Sequence, residues 1–336
     1  MNTTFYRWLD QIFFSHQTAI IMYHGLTDQD DQLENYHGKH LHIQTFKKHL
    51  EYLKKYYSII PLDTFVEHVL TKTTLPKNAV VLTFDDGYES NFTLGFPLLK
   101  EFNAPATIFL TTDFIEQKQF IWPNRIEYAI LTTRHSSLRM PIKNEELVFD
   151  LNSDEAKKKA INDIKILLKS LDHTQRLEFV DEMEKSLEQK LMFNETTPLT
   201  HRALSWPQIQ EMSQSNLITF GAHTCSHPIL ALCTSELMDK EITTPKKIIE
   251  EKLNKNCPLF CYPYGGEDSF NEQTKKCVQE AGFCCALTTI TGTNDALTDL
   301  FTLKRLGTSN LVGMDNFENK LLNSRRTLDR LRKKLF

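Results

Sequence analysis

The chain has 336 residues, a length that suits either two average domains or one α/β barrel. Lysine plus arginine number 39 against 43 aspartates plus glutamates, so the formal net charge of −4 excludes a globally basic nucleic-acid binder. With 40% hydrophobic residues, 24% charged residues and no apolar run near the roughly 18 residues that span a bilayer, the composition is globular rather than low-complexity or membrane-spanning.

Residues 1–14 mix Arg7 and Asp10 among aromatics and lack a cationic start, a continuous apolar stretch and a small-residue cleavage site, so no secretory signal is expected. The run 18–23 (TAIIMY) reads as a first buried strand. A polar loop after it carries His37, His40 and His42, which are expected to face solvent or a site rim. Apolar positions at Phe46, Leu50 and Leu53 predict a helix over 46–56. A strand at 79–84 (AVVLTF), a crossover helix over 91–102 and a strand at 106–111 (ATIFLT) follow. From about 116 to 198 the alternation stops. Residues 154–191 are dense in Lys, Glu and Leu and only 147–151 could be a strand, so a helical insertion is expected here. Strands at 217–222, 259–262 and 283–288, with a helix over 236–253, resume the pattern. The last stretch, 324–336 (SRRTLDRLRKKLF), spaces Leu328, Leu331 and Leu335 helically among basic residues. It reads as a solvated basic helix or as an anchor to an anionic membrane surface. Alternation of strand and helix implies parallel strands with helices outside, as a barrel or an open sheet, in a single domain over 1–336. The seven cysteines lack paired CxxC units and are expected to be reduced thiols packed as small hydrophobes. Together with the missing signal they point to the cytoplasm.

Three segments carry chemistry, each directly after an apolar strand. In Thr83-Phe84-Asp85-Asp86-Gly87, adjacent carboxylates can face one way only if the chain turns, and Gly87 permits that turn; a cation between them would relieve their repulsion. In Gly221-Ala222-His223-Thr224-Cys225-Ser226-His227, a helical turn would put His223 and His227 on one face, able to hold a divalent ion with open coordination positions. Cys225 projects off that face. In Phe260-Cys261-Tyr262-Pro263-Tyr264-Gly265-Gly266, the turn leaves the Tyr264 backbone N–H free to meet a developing oxyanion. All three would lie on the rim where the strands of a parallel barrel end, the usual place for an active site.

These segments, in this order, resemble the motifs of the polysaccharide deacetylase family (the NodB-homology domain, carbohydrate esterase family four). TFDDG is similar to its first motif, HTCSH to its second and FCYPYG to its third, and the likeness runs from Ile20 to Leu303. It implies a distorted (β/α) barrel. It also implies a divalent metal, most often zinc in the family, on Asp86, His223 and His227, with Asp85 as general base. The implied reaction is hydrolysis of an N-acetyl group on an amino sugar, in a polysaccharide or a lipid- or nucleotide-linked glycan; deformylation, O-deacetylation or glycan binding without turnover are the alternatives. Trp206 and Tyr262 are expected to wall the substrate pocket, and Trp122 either contacts sugar or packs in the core. Two positions depart from the family. The arginine expected in the third motif is replaced by Cys261, and Arg305, following another predicted strand, is the candidate substitute for steadying Asp85. No histidine follows His227; Met22-Tyr23-His24 resembles a permuted version, which makes His24 the candidate acid for the leaving amine. A carbohydrate partner, no nucleic acid, and contact of the basic C-terminal helix with the inner membrane face complete the expectation.

Overall fold

The structure is a computed structural model that describes residues 5–6, 9–10, 16–30, 33, 35–117, 119–142, 145–189, 193, 197–311 and 313–322. The basic segment 324–336 lies outside the described residues. Among the described residues no helix is long and apolar enough to cross a membrane.

Seven parallel strands close into a barrel: β1 (Ala19–Tyr23), β5 (Ala79–Phe84), β6 (Ala106–Leu110), β9 (Ile218–Ala222), β10 (Leu259–Cys261), β11 (Cys285–Thr291) and β12 (Leu303–Gly307). Closure comes from β1, which pairs with β12 on one side and with β5 on the other, in register from Ala19↔Val80 to Tyr23↔Phe84. The short strands β2 (Leu26–Thr27) and β3 (Leu41–His42) pair with each other outside the barrel, and β4 (Ser58–Ile59) pairs with the start of β5. These strands are apolar on both sides because both sides are buried. Ile20, Val81, Phe109 and Leu259 form one cluster inside the barrel. Ile21, Val80, Leu82 and Ile108 point the other way, under the surrounding helices, in a larger cluster. The interior cluster continues into Leu62, Phe65, Val66 and Val69 of a helix, α2 (Leu62–Thr71), which plugs the end where the strands begin. It follows α1 (Ile43–Tyr56), and the opposite end stays open. Gly221 is required at the β9–β10 seam, because a Cβ there would lie 2.6 Å from the Phe109 ring and 2.8 Å from the Leu259 carbonyl oxygen.

The insertion is not purely helical. Two short helices, α3 (Phe96–Glu101) and α4 (Thr112–Glu116), precede it, and its own α5 (Trp122–Thr132) leads into an antiparallel hairpin, β7 (Ser137–Ile142) and β8 (Glu145–Asp150). Leu138 and Met140 alternate inward, but Arg139 and Glu146 pair across the outer face at 2.9 Å, and this charged side hides the strand pattern. The helical stretch expected over 154–191 holds two helices, α6 (Asp154–Lys169) and α7 (His173–Ser186). Asp172 ends the first register by accepting from the Gln175 N–H as N-cap of the second. These pieces share an apolar cluster of their own around Ile126, Ile161 and Val180. The chain then returns through α8 (Trp206–Gln214), α9 (Ser235–Leu253), α10 (Glu272–Glu280) and α11 (Met314–Leu321).

Candidate active site

Two left-handed residues build the first corner. After β5, Asp86 has φ 73° and Gly87 φ 85°, so the chain reverses at Asp86 itself, one residue before the glycine. Aspartate tolerates this region better than most residues. Asp85 and Asp86 are both only 2% exposed. Asp85 is held by Arg305, whose Nη1 and Nη2 donate to its two oxygens at 2.7 Å each. Arg305 lies inside β12, not after a strand, and is fully buried. A bulge makes room for it: Leu287 pairs with Leu303 but Thr291 with Arg305, and within that extra span the Thr288 carbonyl accepts from Arg305 Nε at 2.7 Å. Nη2 also contacts Cys261 Sγ at 3.1 Å, so the thiol fills part of the space beside the guanidinium. Burial raises the Asp85 pKa, but the charge and hydrogen bonds of Arg305 outweigh it and hold the carboxyl below its usual range.

The second corner is a loop, not the helical turn expected from the HxxxH spacing. Thr224 (φ 66°) and His227 (φ 61°) are left-handed, and the loop folds back so that His223 and His227 lie with ring centres 5.1 Å apart. Glu241 of α9 fastens it, accepting from the N–H groups of Cys225 and Ser226 at 2.9 Å each and from the Ser226 hydroxyl at 2.6 Å. Cys225 is turned away, its Sγ toward the Lys240 carbonyl. The Ser226 hydroxyl is also 2.9 Å from His173 Nε2, and Trp122 Nε1 donates to the His227 carbonyl at 3.2 Å, so the insertion grips the same loop.

The two corners meet. His223 Nε2 and His227 Nε2 lie 3.5 and 3.4 Å from Asp86 Oδ1, which is buried and has no hydrogen-bond partner among the described residues. Ligands about 2.0–2.1 Å from a tetrahedral ion sit about 3.3–3.4 Å from one another, so this spacing fits a single divalent ion of zinc's size. His223 Nδ1 lies 2.7 Å from the Cys261 carbonyl; donating there leaves Nε2 free as a ligand. A second group, Asp85, His223 and Cys261, is also compact, but Arg305 already occupies both Asp85 oxygens. Burial and the paired histidines act oppositely on Asp86, and the histidines prevail, keeping it well below its usual range. Burial lowers the pKa of His227, whereas at His223 burial is outweighed by Cys261 and Asp86 and the pKa rises well above the ordinary value.

A cleft of about 600 Å³ opens over these groups and is also lined by His24, Lys39, Trp122 and Tyr264. His24 follows β1 directly, beside Asp85, whose N–H bonds the Tyr23 carbonyl at 3.0 Å. Burial lowers the His24 pKa despite Asp86 and Asp85 nearby. Tyr264 (φ 62°) turns its ring onto His227, with centroids 5.2 Å apart, and no acceptor takes its backbone N–H among the described residues.

Other expected site residues lie elsewhere. Tyr262 does not wall the cleft. Strand alternation sends Cys261 into the barrel and Tyr262 out under the helices, stacked on Phe270 at 4.5 Å with its hydroxyl on the Phe301 carbonyl. Trp206 is also outside the cleft, its indole N–H on Glu116 and Lys252 over its ring. The aromatic wall is Tyr264 together with Trp122, which is 1% exposed and brought by the insertion. His40 is buried edge-on against Tyr88 rather than solvent-facing, His37 lines the cleft, and His42 caps α1. Glu241 and the cleft lysines gave no sequence signal, because single charges on helices and loops are ordinary surface residues until the fold turns them inward.

A parallel barrel with two histidines and an aspartate gathered at its open end is the architecture of a carbohydrate-deacetylase fold. Residues 72–286, well over half of the chain, match the model of the polysaccharide deacetylase family, and the chain belongs to that family. The Streptococcus pyogenes deacetylase PplD, solved in complex with acetate, superposes with a TM-score of 0.61 at 17% identity, covering 91% of this chain and 98% of that one. YxkH of Bacillus subtilis, named for the same family, is 20% identical over 295 residues, 86% of this chain and 71% of its own. A poly-beta-1,6-N-acetyl-D-glucosamine N-deacetylase of Staphylococcus epidermidis is 33% identical over 78 residues, 23% of this chain and 27% of its own.

Proposed function

We propose that this chain is a metal-dependent hydrolase that removes an N-acetyl group from an amino sugar, in a polysaccharide or in a lipid- or nucleotide-linked glycan intermediate. The observation that carries the reading is the three-donor group Asp86, His223 and His227 set beside a second carboxylate, Asp85, clamped by Arg305. Membership of the polysaccharide deacetylase family supports it, as does the named activity of the Staphylococcus epidermidis relative.

A divalent ion on Asp86, His223 and His227 would supply a Lewis acid for the acyl carbonyl and draw the pKa of a water toward about 7. Asp85 is the base that takes the proton of the attacking water, and Arg305 keeps it ionised and aimed. The Tyr264 backbone N–H donates to the oxyanion that forms on the acyl oxygen. His24 hands a proton to the departing amine. Burial depresses its pKa, so its donating form gains population toward acid, and kcat/KM should fall as pH rises through that pKa. His24→Ala should lower turnover about 10²-fold, flatten that limb of the pH profile and leave metal content intact; an unchanged rate and profile would remove His24 from the mechanism.

Acetate release from a panel of N-acetylated amino sugars, measured beside metal content, tests the whole reading. The expected result is acetate from one or more sugars, lost about 10²-fold or more in Asp85→Asn while the ion is retained. Bound metal with no acyl release from any sugar would instead indicate a glycan-binding role. The proposal also places the protein in the cytoplasm, at the inner membrane face through residues 324–336; vesicle flotation unaffected by their removal would contradict that placement.

A further inference from the structure

One side of the cleft gathers three lysines, more cations than a neutral sugar needs there. Lys39, between β2 and β3, donates to the Tyr88 hydroxyl at 2.5 Å and to Asn124 Oδ1 at 2.9 Å; both partners are neutral and its third N–H has no acceptor among the described residues. On α6, Lys165, Ile166 and Lys169 recur at helical spacing and face the same cleft. Lys165 is paired with Glu127. Lys169 is exposed, its Nζ 5.4 Å from the Tyr264 ring centre. Among the described residues neither Lys39 nor Lys169 has a carboxylate within ion-pair distance. Apart from the Asp85–Asp86 pair, three ammoniums therefore share the cleft with one carboxylate, Glu127, in a chain of net charge −4. They are close enough to feel one another: burial lowers the Lys165 pKa, Glu127 opposes that, and Lys39 and Lys169 both add to the lowering. Like charges gathered in a recess repel, and an anion placed among them relieves that repulsion.

We propose that this side of the cleft, where the β2–β3 loop meets the insertion, is a specificity subsite for a phosphoryl group on the amino-sugar substrate, a phosphate monoester or a diphosphate link, bound between Lys39 and Lys169. The inference rests on the deacetylase reading and narrows its substrate. Ammoniums suit it as point charges that converge on several phosphoryl oxygens. The insertion thus shares in selecting the substrate, through Lys169, as well as bracing the ligand loop.

Calorimetric titration of the full chain with N-acetylglucosamine 1-phosphate and with N-acetylglucosamine tests it. The phosphorylated sugar should bind about tenfold tighter or better, with an advantage that shrinks as salt rises. In Lys169→Met, a change on an exposed helix face that should fold normally, the advantage should shrink about fivefold, as for the loss of one charge-assisted contact. Lys39→Met should act in the same direction. The Lys169→Met result separates capture by lysine from capture by a bound ion. Equal binding of the two sugars, an advantage untouched in Lys169→Met, or equally tight binding of N-acetylglucosamine bearing a carboxylate in place of phosphate would overturn the assignment. The deacetylase reading fails separately: selective binding of the phosphorylated sugar with no acetate released from any substrate would sink that reading and leave the subsite standing.

Discussion

A carboxylate with 2% exposure stays charged only if a fixed cation and hydrogen bonds replace its water, and Asp85 has both from Arg305. The same guanidinium is tied to the Thr288 carbonyl and touches Cys261, so its plane is set before substrate arrives. Lysine cannot reproduce two parallel N–H···O bonds. Arg305→Lys is therefore expected to lower kcat about 10–100-fold with metal content unchanged, and to move the acidic limb of the pH–rate profile upward as Asp85 loses its partner. Metal analysis and a pH–rate profile check this; an unaltered limb would mean that Asp85 does not depend on Arg305. At this scale the sequence was legible where a motif named the residue. Asp85, Asp86, His223 and His227 stand in motifs; Arg305 was reachable only as a substitute for an arginine missing at Cys261. Its strand, LKRLG, carries too much charge to read as buried, because nothing local reveals the carboxylate waiting inside the barrel. Tyr262 and Trp206 were misplaced because a motif fixes neighbours along the chain, not which way their side chains leave it.

At the scale of elements, the loop 223–227 matters most. Its two left-handed residues would be costly without anchors, and Glu241 supplies three hydrogen bonds from α9. Glu241→Ala should weaken metal affinity about 10–100-fold, the usual consequence of removing a group that orients ligands, and lower stability by about 1–3 kcal/mol for the donors left unpaired. Competition with a chelator and thermal melts would measure both. A stability loss with unchanged metal affinity would make Glu241 structural alone. The spacing of the histidines was visible in the sequence, but the means of their convergence was not, since a helical turn and a loop bent by Thr224 and His227 satisfy the same spacing. In the insertion, a helix-rich composition masks the Asp172 cap, and the charged face of the hairpin conceals its period of two.

For the whole molecule, the barrel was legible because doubly buried parallel strands leave unbroken apolar runs, as in 79–84 and 106–111. The weakest seam in register, a single pairing of Phe260 with Ala222, lies between the strands that deliver His223 and Cys261. Stability should show a distinct acid dependence. Burial holds His49 at about 3 and His173 and His201 at about 4. Depressed folded values mean that the unfolded chain binds more protons between its own histidine value of about 6.5 and these lower values. The stabilisation is complete above about 6.5 and is lost as pH falls toward about 4, by about 1.4 kcal/mol per unit for each histidine at most. Unfolding midpoints should drop between about pH 7 and about pH 5, less steeply in His201→Gln; a flat dependence would contradict the neutral burial of these rings. The central claim concerns one ion. Crystals grown with zinc or cobalt, measured for anomalous scattering, should show one peak about 2.0–2.2 Å from Asp86 Oδ1 and the Nε2 atoms of His223 and His227. No peak there, or a peak among Asp85, His223 and Cys261, would contradict the account.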